Sequence, residues 1–198
     1  MRSGRPRKFE REAALDIALK LFWQHGYEGT SVARLAEAIG INPPSLYAAF
    51  GSKEALFIEA IKRYGDMHCA FYPEVLAQKT AYDVARKMLE EEVELVTKRD
   101  HPNGCLVVQG ALVTSPESEA IRAQVSDMRN MAEQWLCERF KKAKKEGDLP
   151  QDADPAALAC YLMTLNSGLA VQAKSGVSRK RLKQVVEIAL SNWPNCVS

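Results

Sequence analysis

The residues best suited to chemistry in this 198-residue chain are hydrogen-bond donors and cations rather than nucleophiles. Thr30 and Ser31 stand directly before a short apolar-periodic run. Their hydroxyls and the amides that follow form a helix N-terminus, where partial positive charge gathers and a phosphate can be held. Arg2, Arg5, Arg7, Lys8 and Arg11 crowd the first residues against one acid there, Glu10, although the whole chain carries a net charge of only +2. A local basic arm on a near-neutral body suits a phosphate backbone, and a solvated tail is its plain alternative. A different chemistry is open to Cys105 with His101, His68 and Cys69, which together could sense an electrophile, an oxidant or a soft metal. Cys105 is placed to open a helix, whose dipole would lower its thiol pKa; an ordinary buried cysteine is the other reading.

Enzyme chemistry, by contrast, finds no foothold. There is no nucleophile–base motif, glycine-rich phosphate loop or HExxH pairing, and the chain has three histidines. Its five cysteines are scattered and odd in number, without a CxxC pair. Neither a disulfide framework nor a structural zinc site is expected, and no cofactor is called for. Charge stands at the N-terminus where a signal peptide needs an apolar core, so a cytoplasmic protein is expected. The most apolar run, Ala156 to Ala173, is interrupted by Thr164, Asn166, Ser167 and Gly168. It reads as a buried helix rather than a membrane span, so no membrane partner is expected.

The elements that must position these residues are helical throughout. Ala14, Ala18, Leu21 and Phe22 fall on one face of a first helix that Gly26 ends. Thr30 or Ser31 caps a second, with Val32, Leu35, Ala36 and Ile39 on its apolar side, and Gly40 stops it. Asn42 is a favoured N-cap, and Pro43 and Pro44 occupy first-turn positions whose amides no helix uses. The proline pair therefore starts a third helix, bearing Leu46, Tyr47 and Phe50. Ser52 caps a fourth, expected to run towards Phe71 with Pro73 as its stop. A fifth carries Ala85, Met88, Leu89, Val93 and Val96, and a short sixth covers Cys105 to Val113. Ser115-Pro116 opens a long seventh whose inner stripe is Ile121, Val125, Met128, Ala132, Trp135 and Leu136. Asp154-Pro155 opens the eighth and Ser178 the ninth. The expected fold is all-α with about nine helices.

Thr30 to Phe50 thus describes two short helices about a tight turn, the arrangement of a helix-turn-helix whose second helix can enter a major groove. The stretch "ALDIALKLFWQHGYEGTSVARLAEAIGINPPSLYAAFGSKEAL", Ala14 to Leu56, closely resembles the N-terminal domain of the TetR family of bacterial transcriptional regulators. The resemblance is carried by Ala18, Leu21-Phe22, Gly26-Tyr27, Thr30-Ser31-Val32, Leu35-Ala36, Gly40-Ile41, Leu46-Tyr47, Phe50 and Ser52-Lys53-Glu54-Ala55-Leu56. It implies a DNA-binding domain over residues 1–52, including the arm 1–8, and a ligand-binding and dimerisation domain over 53–198. It further implies a homodimer that binds a palindromic double-stranded operator and usually represses transcription, with a small-molecule effector in the body. A helical interaction protein without DNA binding is the remaining alternative.

Within that frame Lys53 looks like the family's phosphate-contacting lysine. Asn42, Pro43, Pro44, Ser45, Ala48 and Ala49 would line the groove, while Tyr47 would pack its ring on the domain and turn its hydroxyl to the backbone. Ala48-Ala49 departs from the large polar or aromatic side chains that many members place there. Alanine touches a thymine methyl but gives no hydrogen bond to a base edge. Specificity would then lean on DNA shape or on Arg5-Pro6-Arg7, similar to a minor-groove AT-hook core. Candidate effector contacts are Tyr64, Met67, His68, Phe71, Met88, Cys105, Val108, Met128, Met131, Trp135 and Met163, a mixture suited to an apolar or aromatic molecule. The expected dimer face, on the last two helices, comprises Leu158, Tyr161, Leu162, Leu165, Leu169, Leu182, Val185, Val186 and Ala189.

Overall fold

Capping residues decide where most of the helices begin. In the computed structural model, which describes residues 10–194, side-chain oxygens accept first-turn amides at Ser31 (from Arg34, 3.2 Å), Asn42 (from Ser45, 2.8 Å) and Ser52 (from Ala55, 3.0 Å). Thr80, Asp154 and Ser178 do the same further along. Ten α-helices result among the described residues: α1 Arg11–His25, α2 Val32–Ile39, α3 Pro43–Phe50, α4 Lys53–His68, α5 Tyr72–Leu76, α6 Ala81–Val96, α7 Leu106–Gln109, α8 Glu119–Lys145, α9 Pro155–Lys174 and α10 Arg179–Ser191. The chain is all-α, as its periodicity predicts.

The tenth helix corrects the expectation at Pro73. α4 stops at His68, where the Cys69 amide closes on the Gly65 carbonyl, and Pro73 sits in the first turn of the short α5 rather than ending α4. A first-turn amide needs no partner, so proline is tolerated there. α7 is also shorter than the expected Cys105–Val113. Its continuation is cut off because the Gly110 carbonyl accepts the amide of Tyr27 at 2.7 Å instead of a later amide of its own helix. A single 3-10 turn, Pro116–Ser118, precedes α8 where Ser115 was expected to cap it directly; the Ser115 amide is drawn to Glu28 Oε1 at 2.9 Å.

α1 to α3 and the start of α4 form the head. α1 packs on α4 and α2, and α3 packs on α2 and α4. Between them the Phe57 ring meets Phe22 edge to face at 4.9 Å and Tyr27 at 5.1 Å. In the body α9 lies between α8 and α6, and α10 closes over α6. By length and composition α9 is apolar enough to cross a bilayer, yet Ala159, Leu162, Met163, Asn166, Leu169, Ala170 and Ala173 are buried against its neighbours. The apolar core runs without a break from Ala14 in the head to Trp193 after α10.

Candidate functional site

Gly40 turns the chain between α2 and α3 at φ +81°, a left-handed conformation that an L side chain rarely adopts. Its amide closes on the Ala36 carbonyl at 2.9 Å, the Ile41 amide follows at 3.0 Å, and Asn42 then opens α3. Leu46 and Phe50 anchor α3 in the core, leaving Asn42, Pro43, Pro44, Ser45, Tyr47 and Ala48 on one exposed stretch. Ala49 is only partly exposed. This surface is rigid at its origin, because two fixed φ angles and a side-chain cap define the first turn.

Three expectations about this end of the molecule need correction. Thr30 is fully buried, and its hydroxyl donates to the Gly26 carbonyl at 2.7 Å, so it ties the α1–α2 turn and cannot face a phosphate. Ser31 remains exposed and caps α2. The Tyr47 ring, expected to pack on the domain, is 47% exposed. Arg11, counted with the basic arm, lies over the Phe50 ring at 4.6 Å and reaches Glu59 at 2.6 Å. It joins α1, α3 and α4. Arg5, Arg7 and Lys8 lie outside the described residues. Lys53, half-buried at the start of α4, holds its ammonium 4.0 Å from the Tyr27 ring centroid. Burial lowers its pKa while Glu28 pulls in the other direction.

The body holds a second site, a cavity of about 280 Å³ bounded by the C-terminal end of α4, by α5 and by α6 to α9. Of the expected contacts, Phe71, Cys105, Val108, Met128, Met131, Trp135 and Met163 line it. Tyr64, Met67, His68 and Met88 do not. Tyr64 is buried and donates its hydroxyl to Cys105 Sγ at 3.2 Å, and Met88 is wholly in the core. Met67 is 57% exposed. His68 joins Trp23 and His101 in a ring cluster, with the Trp23–His101 centroids 4.3 Å apart.

Cys105 does not behave as a helix-activated thiol. α7 has four residues, too short for a strong dipole, and burial pushes the thiol up to about 12. Cys69 is likewise pushed up to about 12 by burial. Among the described residues no three His, Cys, Asp or Glu side chains gather where they could hold a metal ion. Of the two readings of Cys105, its burial favours the ordinary buried cysteine over the sensor.

Sequence reasoning missed the polar part of the cavity: Glu92, Asn166, Tyr72 and Arg129. Glu92 lies in phase with Ala85, Met88, Leu89 and Val96 on the buried stripe of α6. An acid on an apolar stripe is the signal that could have marked it. Asn166 was visible as a polar interruption of the apolar run of α9.

The residues expected at the dimer face divide by their burial within the chain. Leu162, Leu169, Leu182, Val186 and Ala189 are buried within the chain, and Leu158 and Leu165 are partly so. Tyr161 and Val185 stay exposed, joined by Val171 and Ile188. A groove of about 740 Å³ runs here, lined by Leu112, Thr164, Gly168, Val171, Arg181 and Val185 among others.

Comparison with known proteins places this architecture. The family described as "Bacterial regulatory proteins, tetR family" matches residues 14–60, and "Tetracyclin repressor-like, C-terminal domain" matches residues 84–189. The HTH-type transcriptional repressor ComR of Escherichia coli (strain K12) is 36% identical over 196 residues, 98% of this chain and 93% of ComR. The repressor BdcR of the same organism is 31% identical over 180 residues, 90% of this chain and 86% of BdcR. A cysteine mutant of the TetR family transcriptional regulator CifR, solved with 26-bp double-strand operator DNA, superposes with a TM-score of 0.89 at 46% identity, over 96% of this chain and all of the other. The chain belongs to the TetR family of bacterial regulatory proteins.

Proposed function

We propose that this chain is a transcriptional repressor that binds a palindromic operator as a homodimer and leaves it when a small molecule fills the body cavity. The observation that carries the reading is the capped, proline-started α3 with Asn42 to Ser45, Tyr47 and Ala48 exposed. Its context supports it: ComR and BdcR are repressors, and CifR has been solved on operator DNA. In this reading α3 enters the major groove, and the α2 N-terminus at Ser31 and Lys53 at the start of α4 hold phosphates. The arm with Arg5, Arg7 and Lys8 adds contacts beside it. The division into a DNA-binding head, residues 1–52, and a body, 53–198, belongs to the same proposal, as do a cytoplasmic location and the absence of catalysis.

The route from cavity to head follows from α7. Cys105 and Val108 stand in the cavity wall, and the Gly110 carbonyl just beyond them holds the Tyr27 amide. Trp23 Nε1 donates to the Gly104 carbonyl at 3.0 Å on the other flank. A ligand that shifts α7 would therefore shift the head directly. The second copy sits, in this proposal, on the groove around Gly168 and Val185. The test is fluorescence anisotropy of the full chain on the DNA flanking its own gene. Affinity of about 10⁻⁸ M or tighter, at least a thousandfold above random DNA, is expected. Equal binding to both would favour a helical interaction protein without operator function.

A further inference from the structure

Glu92 is 2% exposed and Asn166 is 4% exposed, and both line the body cavity. Glu92 Oε1 and Asn166 Oδ1 have no hydrogen-bond partner among the described residues. The two side chains are neighbours, the Asn166 amide favouring the charged form of the Glu92 carboxyl. Close by, the Tyr64 hydroxyl donates to Cys105 Sγ at 3.2 Å and Arg129 Nη1 to the Val107 carbonyl at 2.8 Å. In the empty cavity a neutral Glu92 carboxyl can donate to the neighbouring Asn166 amide, whereas an ionised Glu92 sealed there needs a partner that brings hydrogens and positive charge.

We propose that the cavity takes a small organic cation, a primary or secondary ammonium on an apolar body, whose N–H groups bind Glu92 Oε1 and Asn166 Oδ1. This rests on the reading of the cavity as the effector site. An ammonium supplies at least two donors and the opposite charge, whereas a hydroxyl supplies one donor and no charge. Phe71, Tyr72 and Trp135 in the wall offer aromatic surface to the apolar body and to the cation alike. At about 280 Å³ the cavity stands at the small end of ligand sites, usually about 300–1,000 Å³, so the body is small. Arg129 is the competing feature, since a guanidinium favours an anion. It is only partly buried and already bound to backbone, whereas the carboxyl is sealed.

Proton balance follows. The empty site holds Glu92 mostly protonated, its pKa raised to about 8 by burial. Around it burial keeps the phenols of Tyr64 and Tyr72 and the thiols of Cys69 and Cys105 neutral, and Arg129 is the facing cation. An ammonium that enters charged leaves the carboxyl ionised, and its proton goes to solvent.

The test is isothermal titration calorimetry of the full chain with benzyl, phenethyl and phenylpropyl bodies, each as ammonium, alcohol and carboxylate, in two buffers of different ionisation enthalpy. Operator release by the same compounds is read by anisotropy. The ammonium of the best body is expected to bind about tenfold or more tighter than its alcohol, with proton release and with operator release. Glu92→Gln, close in shape and free of the buried acid, erases that preference and the proton release. Asn166→Leu, a second variant that keeps the apolar packing, weakens the ammonium more than the alcohol. An alcohol or carboxylate that binds best and releases operator overturns the ammonium assignment and leaves the effector cavity standing. Failure of all nine compounds to bind overturns both.

Discussion

At Glu92 a carboxyl replaces the apolar side chain that the stripe of α6 leads one to expect, and its protonation couples to folding. The folded carboxyl keeps its proton to about 8, against an ordinary 4.5, because burial disfavours the charge. Between those two values the folded state holds more protons than the unfolded one, so the contribution is present at low pH and is lost as pH rises through the window. The local slope approaches about 1.4 kcal/mol per pH unit. Urea unfolding of ligand-free wild type and Glu92→Gln from about pH 5 to about pH 8 should therefore show wild type losing stability relative to the variant. Parallel curves would mean that the carboxyl reaches water. At Asn42 a different residue-scale effect operates, since its side-chain oxygen holds the first-turn amide of Ser45. Asn42→Ala should cost about 1 kcal/mol of stability by urea midpoint. It should weaken operator binding beyond that of a Ser45→Ala control, because the start of α3 frays.

The apolar core packs the elements together, and two hydrogen bonds tie the head to the flanks of α7: Tyr27 N–H to the Gly110 carbonyl and Trp23 Nε1–H to the Gly104 carbonyl. A Cβ at Gly110 would stand 2.5 Å from the Leu106 carbonyl oxygen, 2.8 Å from Leu106 Cδ1 and 3.3 Å from Phe57 Cζ, where cavity wall and head meet. Gly110→Ala should destabilise the fold by about 1–3 kcal/mol through overpacking and weaken operator affinity with the α3 surface untouched. Thermal melts and anisotropy on the same preparation check it; wild-type operator affinity with a lowered melting temperature would remove α7 from the path between the sites. The same helix shows why sequence reading went astray. Helix starts at Ser31, Asn42, Ser52, Asp154 and Ser178 were legible because a cap and its amide lie within three residues. The end of α7 was not, because the Tyr27 amide that takes the Gly110 carbonyl comes from a distant part of the chain. α5 was hidden because a proline both stops helices and starts them. Apolar phase marked Leu162, Leu169 and Leu182 as a buried face without saying what buries them, and the chain's own α6 and α8 do much of it. Glu92 escaped because residue type alone places a glutamate outside.

The whole molecule must present two heads at a spacing set by the dimer, about 34–36 Å or a multiple for adjacent major-groove half-sites. Everything that changes the dimer then changes operator affinity, even far from DNA. Gly168 separates these effects. It is exposed on α9, a Cβ there would meet nothing within 4 Å in its own chain, and it lines the groove with Val171 and Val185. Gly168→Leu places its Cβ in open space of the protomer, and the helix gains from losing a glycine by about 0.5–1 kcal/mol. If α9 of a second copy approaches here, the added side chain holds the two helices apart. Sedimentation velocity should then show a shift from dimer to monomer at micromolar protein, with circular dichroism retaining the helical signal. Operator affinity should fall by about tenfold or more, while binding to one isolated half-site changes little, since the two heads no longer share one binding event. Val185→Asp should act in the same direction by placing a charge in the apolar contact. If both variants remain dimeric, the partner is seated elsewhere, and the exposed Tyr161, Val171 and Ile188 belong to some other contact.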